Sequence, residues 1–396
     1  MLRIRLRSVV LGATALAAVA VAPLQARGPS APPAEHPQPL AIGSLAPDFS
    51  LPGTDGKTYS LASFKDARAL VVIFTAVHCP TAEVYEGRIT QLVADYGKKG
   101  VAFVVIQPNN AKALRLDEMG YTDLGDSLAD MQIRAAHRAF NFPFLYDGDT
   151  QDTAAKYGPT ATPHVFVFDQ ARRLKYQGRI DSSPREAYAK VADARLALDA
   201  VLAGQPVPVE KTPTVGCSIK WLDKSVLHDA EQKAIASTPI TLETVDETEL
   251  TALVRNAGTG KTRLINFWAT WCAPCTEEFP ELQDTWRMYS KRPFELVTVA
   301  INFPDEEPGV RKFLEAQHAT TRNLLFGTTD PYALMKVVDP DWNGAVPYSL
   351  IVGPDGKVLY KASGRLEMLK ARRTILASLP DDDYVGQHAY WSSAPK

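Results

Sequence analysis

The chain has 396 residues, of which 45% are hydrophobic, and its formal net charge is −2. This length and apolar content leave room for about two domains of ordinary size. A nearly neutral charge gives no indication of binding to nucleic acid or to an acidic membrane surface. Four cysteines, Cys79, Cys217, Cys272 and Cys275, are too few for a disulfide scaffold in an exported protein. We therefore interpret them as reactive thiols.

The first 26 residues have the pattern of a signal peptide. Three arginines within the first seven residues precede an uncharged apolar run that ends at Ala22, and Ala26 lies where cleavage is expected. The run is shorter than the ~20 residues of a membrane span, and a retained anchor is the alternative. Residues 27–40 are rich in proline and alanine, which predicts a flexible leader. We expect a periplasmic or otherwise extracytoplasmic protein that is soluble after signal cleavage.

Residues 41–203 alternate strand-like and helix-like segments. Strands are predicted at residues 70–74, 101–106, 164–169 and 174–179, and helical segments after the first strand and within residues 111–140. The first strand leads into His78-Cys79-Pro80, so Cys79 lies where a helix is expected to begin. Alternating strands and helices that end in a strand pair favour an α/β domain.

The motifs of this region resemble those of the redoxin, or AhpC/TSA-like, group of the thioredoxin superfamily. The matching segments are residues 42–49, His78-Cys79-Pro80, residues 144–147, Thr162-Pro163, residues 178–181 and the Gly-Cys-Ser-Ile-Lys-Trp tail at residues 216–221. The resemblance implies a thioredoxin-like fold for residues 41–203. The sequence departs from the group at Ala161, since many relatives have a cysteine immediately before Thr-Pro.

The sequence leaves the role of Cys79 open. A peroxide pocket of the usual form needs a proline and a hydroxyl side chain at two positions before the cysteine. This sequence has Val72 and Ala76 there, so a pocket of the usual form is absent. A thiol-exchange site has Ala82 where the partner of a Cys-x-x-Cys motif would be. Its resolving partner would then be Cys217, a cysteine of the second domain or a cysteine of another protein. A peroxidase, an exchange site and a buried inert cysteine are three of the alternatives.

The fourth alternative for Cys79 is a copper site of the Sco type. Such a site needs a second cysteine at the position of Thr75, followed by a distant histidine. Cys79 is left with His78 or His164, and one thiolate with one histidine makes a weak site for a soft metal.

Residues 204–237 contain three prolines and little hydrophobic periodicity, which predicts a linker that carries the 216–221 tail. A proline-rich segment can extend by ~3.1 Å per residue, so the tail can reach back to the first domain. Ile219 and Trp221 are apolar enough to dock it. We therefore predict that Cys217 is brought to Cys79.

A Cys-x-x-Cys motif organises the next segment, residues 238–380. An apolar run at residues 264–269 leads into Cys272 and Cys275 and then into a helix-like segment. A helix N-terminus stabilises a thiolate and moves a cysteine pKa from ~8.5 towards ~7. Half of a zinc site is the alternative, but no second cysteine pair follows. The motif therefore predicts dithiol redox chemistry.

This segment resembles the TlpA/ResA-type thiol–disulfide oxidoreductases. The resemblance lies in Trp-Cys-Ala-Pro-Cys at residues 271–275, Glu-Phe-Pro at 278–280, Gly-Ala-Val-Pro at 344–347 and strands at 349–352 and 358–361. It implies that Pro347 is a cis-proline packed against the disulfide and shaping the substrate groove. It also implies that Glu278 assists proton transfer at the buried thiol. The alternative for Glu278 is a surface acid that complements the helix dipole.

Both halves have the same order of segments: strand, cysteine-headed helix, strand, helix, Xaa-Pro and strand pair. Cys79 precedes Pro163 by 84 residues, and Cys272 precedes Pro347 by 75. We therefore predict the α/β class, with two thioredoxin-like three-layer sandwiches in tandem and a C-terminal tail at residues 381–396.

The predicted function is reduction of client disulfides, with Cys272 as nucleophile, Cys275 as resolving thiol and an accessory redoxin domain. Neutral residues between the two thiols predict a couple more reducing than DsbA. The resemblance implies clients in cytochrome c maturation or copper-centre assembly, and a membrane thiol reductase as electron donor. We expect no cofactor and no nucleic-acid partner. A copper-handling protein or a thiol peroxidase centred on Cys79 is the alternative.

Overall fold

The computed structural model describes residues 36–380. The predicted signal peptide, residues 27–35 of the predicted leader and the predicted C-terminal tail lie outside these residues. Within the described range, every helix is too short or too polar to cross a lipid bilayer.

The first half of the described chain builds a five-stranded sheet in the order β5-β4-β3-β7-β8. Its strands and helices are β1 Ser50–Pro52, β2 Thr58–Ser60, β3 Ala69–Phe74, α1 Pro80–Glu83, α2 Glu86–Gly97, β4 Val101–Gln107, α3 Leu128–Arg138, β5 Phe144–Tyr146, α4 Asp152–Tyr157, β6 Ala161–Thr162, β7 His164–Phe168, β8 Leu174–Gly178 and α5 Asp193–Leu202. Strand β3 is parallel to β4 and antiparallel to β7. Strands β1 and β2 form a separate hairpin.

Strand β3 is central because its side chains are buried on both faces of the sheet. Alternate residues of a strand point to opposite faces, and here Val71 and Ile73 enter one core cluster while Leu70 and Phe74 enter another. The uninterrupted apolar run predicted from the sequence therefore lies between two layers. Its carboxyl end delivers the chain to Cys79.

The second half builds a six-stranded sheet in the order β10-β13-β12-β11-β14-β15. The remaining elements, in chain order, are β9 Cys217–Ser218, α6 Ser225–Ser237, β10 Glu243–Val245, α7 Glu247–Arg255, β11 Thr262–Trp268, α8 Ala273–Tyr289, β12 Phe294–Ala300, α9 Glu307–Ala316, β13 Arg322–Phe326, α10 Pro331–Val338, β14 Tyr348–Val352, β15 Val358–Ser363 and α11 Met368–Ser378. Short 3₁₀ helices occur at Leu61–Phe64, Ala111–Ala113, Leu116–Glu118, Glu186–Tyr188, Leu222–Lys224 and Pro304–Glu306.

The two sheets share one topology. In each, the strand before the cysteine, β3 or β11, has a parallel neighbour on one side and an antiparallel hairpin on the other. The second sheet carries one additional edge strand, β10. The prediction of an α/β fold used twice is therefore confirmed.

The region predicted as helical between residues 111 and 140 is different in the structure. Only α3 is an α-helix there, and two 3₁₀ turns and a loop precede it. Ser127 begins α3, because its hydroxyl accepts a hydrogen bond from the backbone N–H of Asp130 at 3.1 Å. The loop before α3 contacts the second half of the chain, which its local sequence does not indicate.

This loop joins the two halves. Leu114 and Met119 enter a core cluster with Met288 and Tyr289, which lie at the end of α8. The hydroxyl of Tyr289 donates a hydrogen bond to the carbonyl oxygen of Thr122 at 2.9 Å. The two halves are thus held together by apolar packing with a buried hydrogen bond.

The segment predicted as a linker, residues 204–237, contains structure of its own. Strand β9 pairs with β6, and Ile219 and Trp221 lie in the core cluster on one face of the first sheet. Helix α6 follows, and it has no fully buried residue. Its lack of a buried face explains why no helical periodicity is visible in this part of the sequence.

We predict that the tail contributes to the stability of the first half. Replacing Ile219, which is 1% exposed, by alanine should lower the free energy of unfolding by about 2–5 kcal/mol, because it leaves a cavity in the core. Leu222→Ala is the matched control, since Leu222 is 48% exposed and should change stability by less than about 0.5 kcal/mol. Urea unfolding measures both, and equal effects would contradict a docked tail.

Candidate functional site

The first candidate centre is the Cys272–Cys275 pair at the start of α8. Cys272 is the N-cap residue, and its sulfur lies 3.3 Å from the backbone nitrogen of Cys275. The two residues form a disulfide with a Cα–Cα distance of 5.3 Å. Cys272 is 5% exposed and Cys275 is 1% exposed. An incoming thiolate can therefore reach Cys272 more easily than Cys275.

The Xaa-Pro segment lies at the same end of the sheet as the disulfide. The peptide bond between Val346 and Pro347 is cis. Val346 packs against the apolar cluster that contains both cysteines. Tyr348 then begins β14 and pairs with Phe267, close to the end of β11. The fold thus brings the Pro347 segment to the dithiol although 75 residues separate them.

Glu278 is buried in the second sandwich, three residues after Cys275 on α8. One carboxylate oxygen accepts a hydrogen bond from the side-chain amide of Asn266 at 3.0 Å, and the other accepts one from the backbone N–H of Leu366 at 2.8 Å. Burial raises the pKa of Glu278 above its ordinary value, although both hydrogen bonds oppose the shift. Glu278 is 1% exposed, so the alternative of a surface acid does not describe it.

Asn266 is a site residue that the sequence analysis missed. Its amide also donates to the hydroxyl of Ser349 at 3.0 Å, so it links β11 to α8 and to β14. The available signal was a polar residue in the middle of an otherwise apolar strand. A buried polar side chain needs partners, and these lie far away in the sequence.

The second candidate centre is formed by Cys79 and Cys217. Cys79 is the N-cap residue of α1, and its sulfur lies 3.4 Å from the backbone nitrogen of Ala82. Thr162 pairs with Cys217 in the β6–β9 ladder, and its carbonyl oxygen lies 3.4 Å from the sulfur of Cys79. Cys217 packs against Cys79 and is within hydrogen-bonding reach of it. Cys79 is fully buried, whereas Cys217 is partly exposed.

A buried ion pair lies beside this centre. The carboxylate of Asp126 is 2.5 Å from Nδ1 of His78 and accepts hydrogen bonds from the backbone N–H groups of Val77 and His78 at 2.8 and 3.0 Å. Burial of His78 opposes its charging, but the negative charge of Asp126 prevails and raises its pKa. Asp126 was missed in the sequence because 48 residues separate it from His78.

The pKa of the Cys79 thiol reflects these neighbours. Burial alone would raise it, but a hydrogen bond from Cys217 and the positive charge of His78 lower it to about 6. Cys217 shifts in the opposite direction, because its proton is held by the neighbouring Cys79 thiolate. The pair therefore favours one thiolate, on Cys79, and one thiol, on Cys217.

His164 has a different environment. Its Nδ1 accepts a hydrogen bond from the backbone N–H of Thr160 at 3.2 Å, and its ring stacks on Phe166. Burial lowers its pKa to about 4, so it is neutral at physiological pH. Within residues 36–380, no cluster of three or more histidine, cysteine or acidic side chains is arranged to hold a metal ion.

Two family models match the chain, Redoxin over residues 41–196 and the AhpC/TSA family over residues 235–361. Thiol-disulfide oxidoreductase ResA from Bacillus subtilis is 27% identical over 110 residues, covering 27% of this chain and 55% of that protein. Thiol:disulfide interchange protein CycY from Rhizobium leguminosarum is 32% identical over 122 residues, covering 29% of this chain and 56% of that protein. The chain thus spans about half the length of the curated relatives it matches.

A solved structure of a hypothetical protein from Sinorhizobium meliloti is 35% identical with a TM-score of 0.41, covering 46% of this chain and 95% of that one.

The first family match contains the five-stranded sheet, and the second contains most of the six-stranded sheet. The prediction of two thioredoxin-like sandwiches in tandem is therefore confirmed.

The environment of Glu278 predicts a pH-dependent stability. Its pKa is higher in the folded than in the unfolded state, so the folded protein binds more protons and stability falls as pH rises through that interval. The Glu278→Gln variant has no ionisable side chain at this position. Raising the pH from about 4 should therefore lower the unfolding free energy of the wild type relative to this variant.

Urea unfolding at a series of pH values measures this difference. Glu277→Gln is the matched control, since it removes the neighbouring carboxyl group, whose side chain is 65% exposed. A difference in unfolding free energy between the wild type and Glu278→Gln that does not change with pH would contradict the prediction.

Proposed function

Since this chain is a tandem thioredoxin-like protein, with a redoxin domain followed by a domain of the AhpC/TSA family, we propose that it is an exported thiol–disulfide oxidoreductase. The observation that carries the proposal is the Cys272–Cys275 disulfide at the N-terminus of α8, next to the buried carboxyl group of Glu278. The names of ResA and CycY support the same class of reaction.

The proposed reaction reduces a client disulfide in two exchanges. The Cys272 thiolate attacks one client sulfur, expels the other as a thiolate and forms a mixed disulfide. Cys275, after losing its proton, attacks the sulfur of Cys272, closes the Cys272–Cys275 disulfide and releases the second client thiolate. Two electrons pass from the dithiol to the client, and the leaving thiolates take up protons.

Glu278 is proposed to accept the proton of Cys275. The two residues lie one helical turn apart on α8, which places their side chains on the same face. A carboxylate with a raised pKa is closer to the pKa of a thiol than an exposed glutamate is, which makes it a better proton shuttle near neutral pH. Pro347 is proposed to shape the groove in which the client chain lies.

The couple is proposed to be reducing. The residues between the thiols, Ala273 and Pro274, carry no charge that would stabilise a thiolate on Cys272 further. A less stabilised thiolate makes the disulfide harder to reduce, in contrast to DsbA. Electrons would then come from a membrane thiol reductase, and the clients would be proteins of cytochrome c maturation or copper-centre assembly.

The copper-handling alternative for Cys79 has less support than thiol exchange. Nδ1 of His78 is engaged with Asp126, and Nδ1 of His164 accepts a backbone hydrogen bond. The contact between Cys79 and Cys217 favours exchange instead. A peroxidase would use the same two sulfurs, so the redoxin domain is proposed as an accessory redox domain.

Activity assays of cysteine variants test the assignment. Cys272→Ser should abolish disulfide reduction in an insulin assay, because it removes the attacking thiolate, whereas Cys79→Ser should leave most of the activity. If Cys79→Ser is the more damaging substitution, the functions of the two domains have been assigned the wrong way round.

Glu278→Gln should slow the reaction and change its pH–rate profile, and Glu277→Gln should do neither.

The client can be captured on the enzyme. Cys275→Ser removes the resolving thiol, so mixed disulfides between Cys272 and a client should accumulate and can be identified by mass spectrometry. The double variant Cys272→Ser/Cys275→Ser is the control. Equal capture by both variants would contradict client exchange at Cys272.

Export gives a separate prediction. Cleavage after Ala26 leaves Arg27 as the first residue, so N-terminal peptide analysis of the protein from the extracytoplasmic fraction should begin near Arg27. Recovery of intact residues 1–26 on soluble protein from that fraction would contradict cleavage.

A further inference from the structure

Cys79 and Cys217 lie against each other in the first sandwich. We propose that these two cysteines form a second dithiol–disulfide centre, which accepts electrons from dithiols through the sulfur of Cys217, and that His78 and Asp126 are its positioning residues. The proposal concerns a different sandwich from the Cys272–Cys275 pair and does not depend on the function proposed for that pair.

The position of Cys217 is fixed by the strand pairing around it. Strand β9 pairs with β6, with Thr162 opposite Cys217. A Cβ atom on Gly216 would lie 1.9 Å from the carbonyl oxygen of Thr162, so only glycine allows the tail to approach so closely. On the other side of Cys217, Ile219 is buried in the core. Cys217 is thus held against Cys79 from both sides.

The surroundings of Cys79 stabilise a negative charge on its sulfur. The backbone N–H of Ala82 points at the sulfur from the first turn of α1. His78 precedes it in the chain and is held by Asp126 within the protein interior. Of the other charged groups nearby, Lys220 pairs with Glu118 at 2.6 Å and Glu83 pairs with Arg134 at 3.1 Å. The ammonium group of Lys224 contacts the hydroxyl of Ser218 at 3.3 Å. His78 is the cation next to Cys79 in the chain, and its charge lowers the pKa of the Cys79 thiol.

Asp126 also supports the strand that carries Cys217. The side-chain nitrogen Nδ2 of Asn109 donates to Asp126 at 2.8 Å, and its side-chain oxygen Oδ1 accepts from the backbone N–H of Lys220 at 2.8 Å. Lys220 lies three residues after Cys217. One buried carboxylate thus organises both the histidine beside one sulfur and the backbone beyond the other.

The difference in exposure determines how the centre exchanges with its surroundings. Cys79 is 0% exposed, so an incoming thiolate can attack only the partly exposed sulfur of Cys217. The attack forms a mixed disulfide on Cys217 and breaks the Cys79–Cys217 bond, with Cys79 leaving as a thiolate. A thiol of low pKa leaves fastest in such an exchange. The second thiol of the incoming dithiol then attacks its own mixed disulfide and frees Cys217.

The net reaction conserves atoms and charge. One external dithiol becomes a disulfide, two electrons enter the centre, Cys217 ends as a thiol, Cys79 ends as a thiolate, and one proton is released. A stabilised thiolate in the reduced form makes the couple a better oxidant. The reverse exchange with a more oxidising protein disulfide restores the Cys79–Cys217 bond.

The test uses the full chain with Cys272→Ser and Cys275→Ser, so that only this centre can form an intramolecular disulfide. The protein is equilibrated in glutathione buffers of graded redox ratio, its free thiols are blocked with an alkylating reagent in acid denaturant, and peptide mapping locates the disulfide. The proposal predicts a Cys79–Cys217 link with a two-electron transition. Failure to form this link in any buffer would overturn it.

Asp126→Asn in the same background tests the positioning residues. The thiolate absorbance of Cys79 should titrate at higher pH in this variant. At a pH above the Cys79 pKa, the equilibrium constant with glutathione should shift towards the disulfide about tenfold for each unit by which that pKa rises. Asp117→Asn is the matched control, because Asp117 lies in the preceding 3₁₀ helix and pairs with Arg115 and Lys291. Equal behaviour of Asp126→Asn and Asp117→Asn would overturn the role of Asp126.

His78→Gln provides a second variant, which removes the positive charge and leaves Asp126 in place. It should reproduce the change in Cys79 titration even if Asp126→Asn does not fold. A wild-type titration at the ordinary thiol pKa of ~8.5, unchanged by His78→Gln, would overturn the proposal. Insulin reduction by the unmodified Cys272–Cys275 pair is a separate measurement, so the two proposed functions can fail independently.

Discussion

Both centres depend on one arrangement, a cysteine sulfur held at the free N–H groups of a helix that follows the central strand of a sheet. The sulfur of Cys79 lies 3.4 Å from the nitrogen of Ala82, and that of Cys272 lies 3.3 Å from the nitrogen of Cys275. The partial positive charge of a helix N-terminus favours the thiolate in each case. The preceding strands, β3 and β11, are buried along their whole length, and each leads the chain to its cysteine at the helix start.

The two halves differ in what they add to this arrangement. Three residues after the first cysteine, the second half has Cys275 whereas the first half has Ala82, so a partner for Cys79 must come from another segment. The buried ionisable group beside each centre also differs in sign, since Glu278 brings a carboxyl group to one and His78 brings an imidazole to the other. A nearby cation stabilises a thiolate, whereas a nearby carboxylate does not, so the two centres have different electrostatic environments on one fold.

Strands and the placement of the cysteines could be predicted from the sequence, whereas the buried polar network could not. Apolar runs located β3, β4 and β11 to within one or two residues, because burial on both faces leaves a continuous hydrophobic segment. Helix α6 has no buried face and so left no periodic pattern. Asp126 and Asn266 act through partners that are distant in the chain, and local sequence contains no information about such contacts.

The loop before α3 links the packing of the two halves to the Cys79 centre. Its middle contacts the end of α8 through Met119, and buried Asp123 bonds both to Arg134 of its own half and to Arg373 of α11. Three residues further along the chain, Asp126 holds His78. Removing the second half would expose the apolar side chains of this loop and take Arg373 from Asp123, although Asp123 would keep its ion pair with Arg134. The loop that carries Asp126 therefore packs against both halves, and the two sandwiches belong to one compact unit.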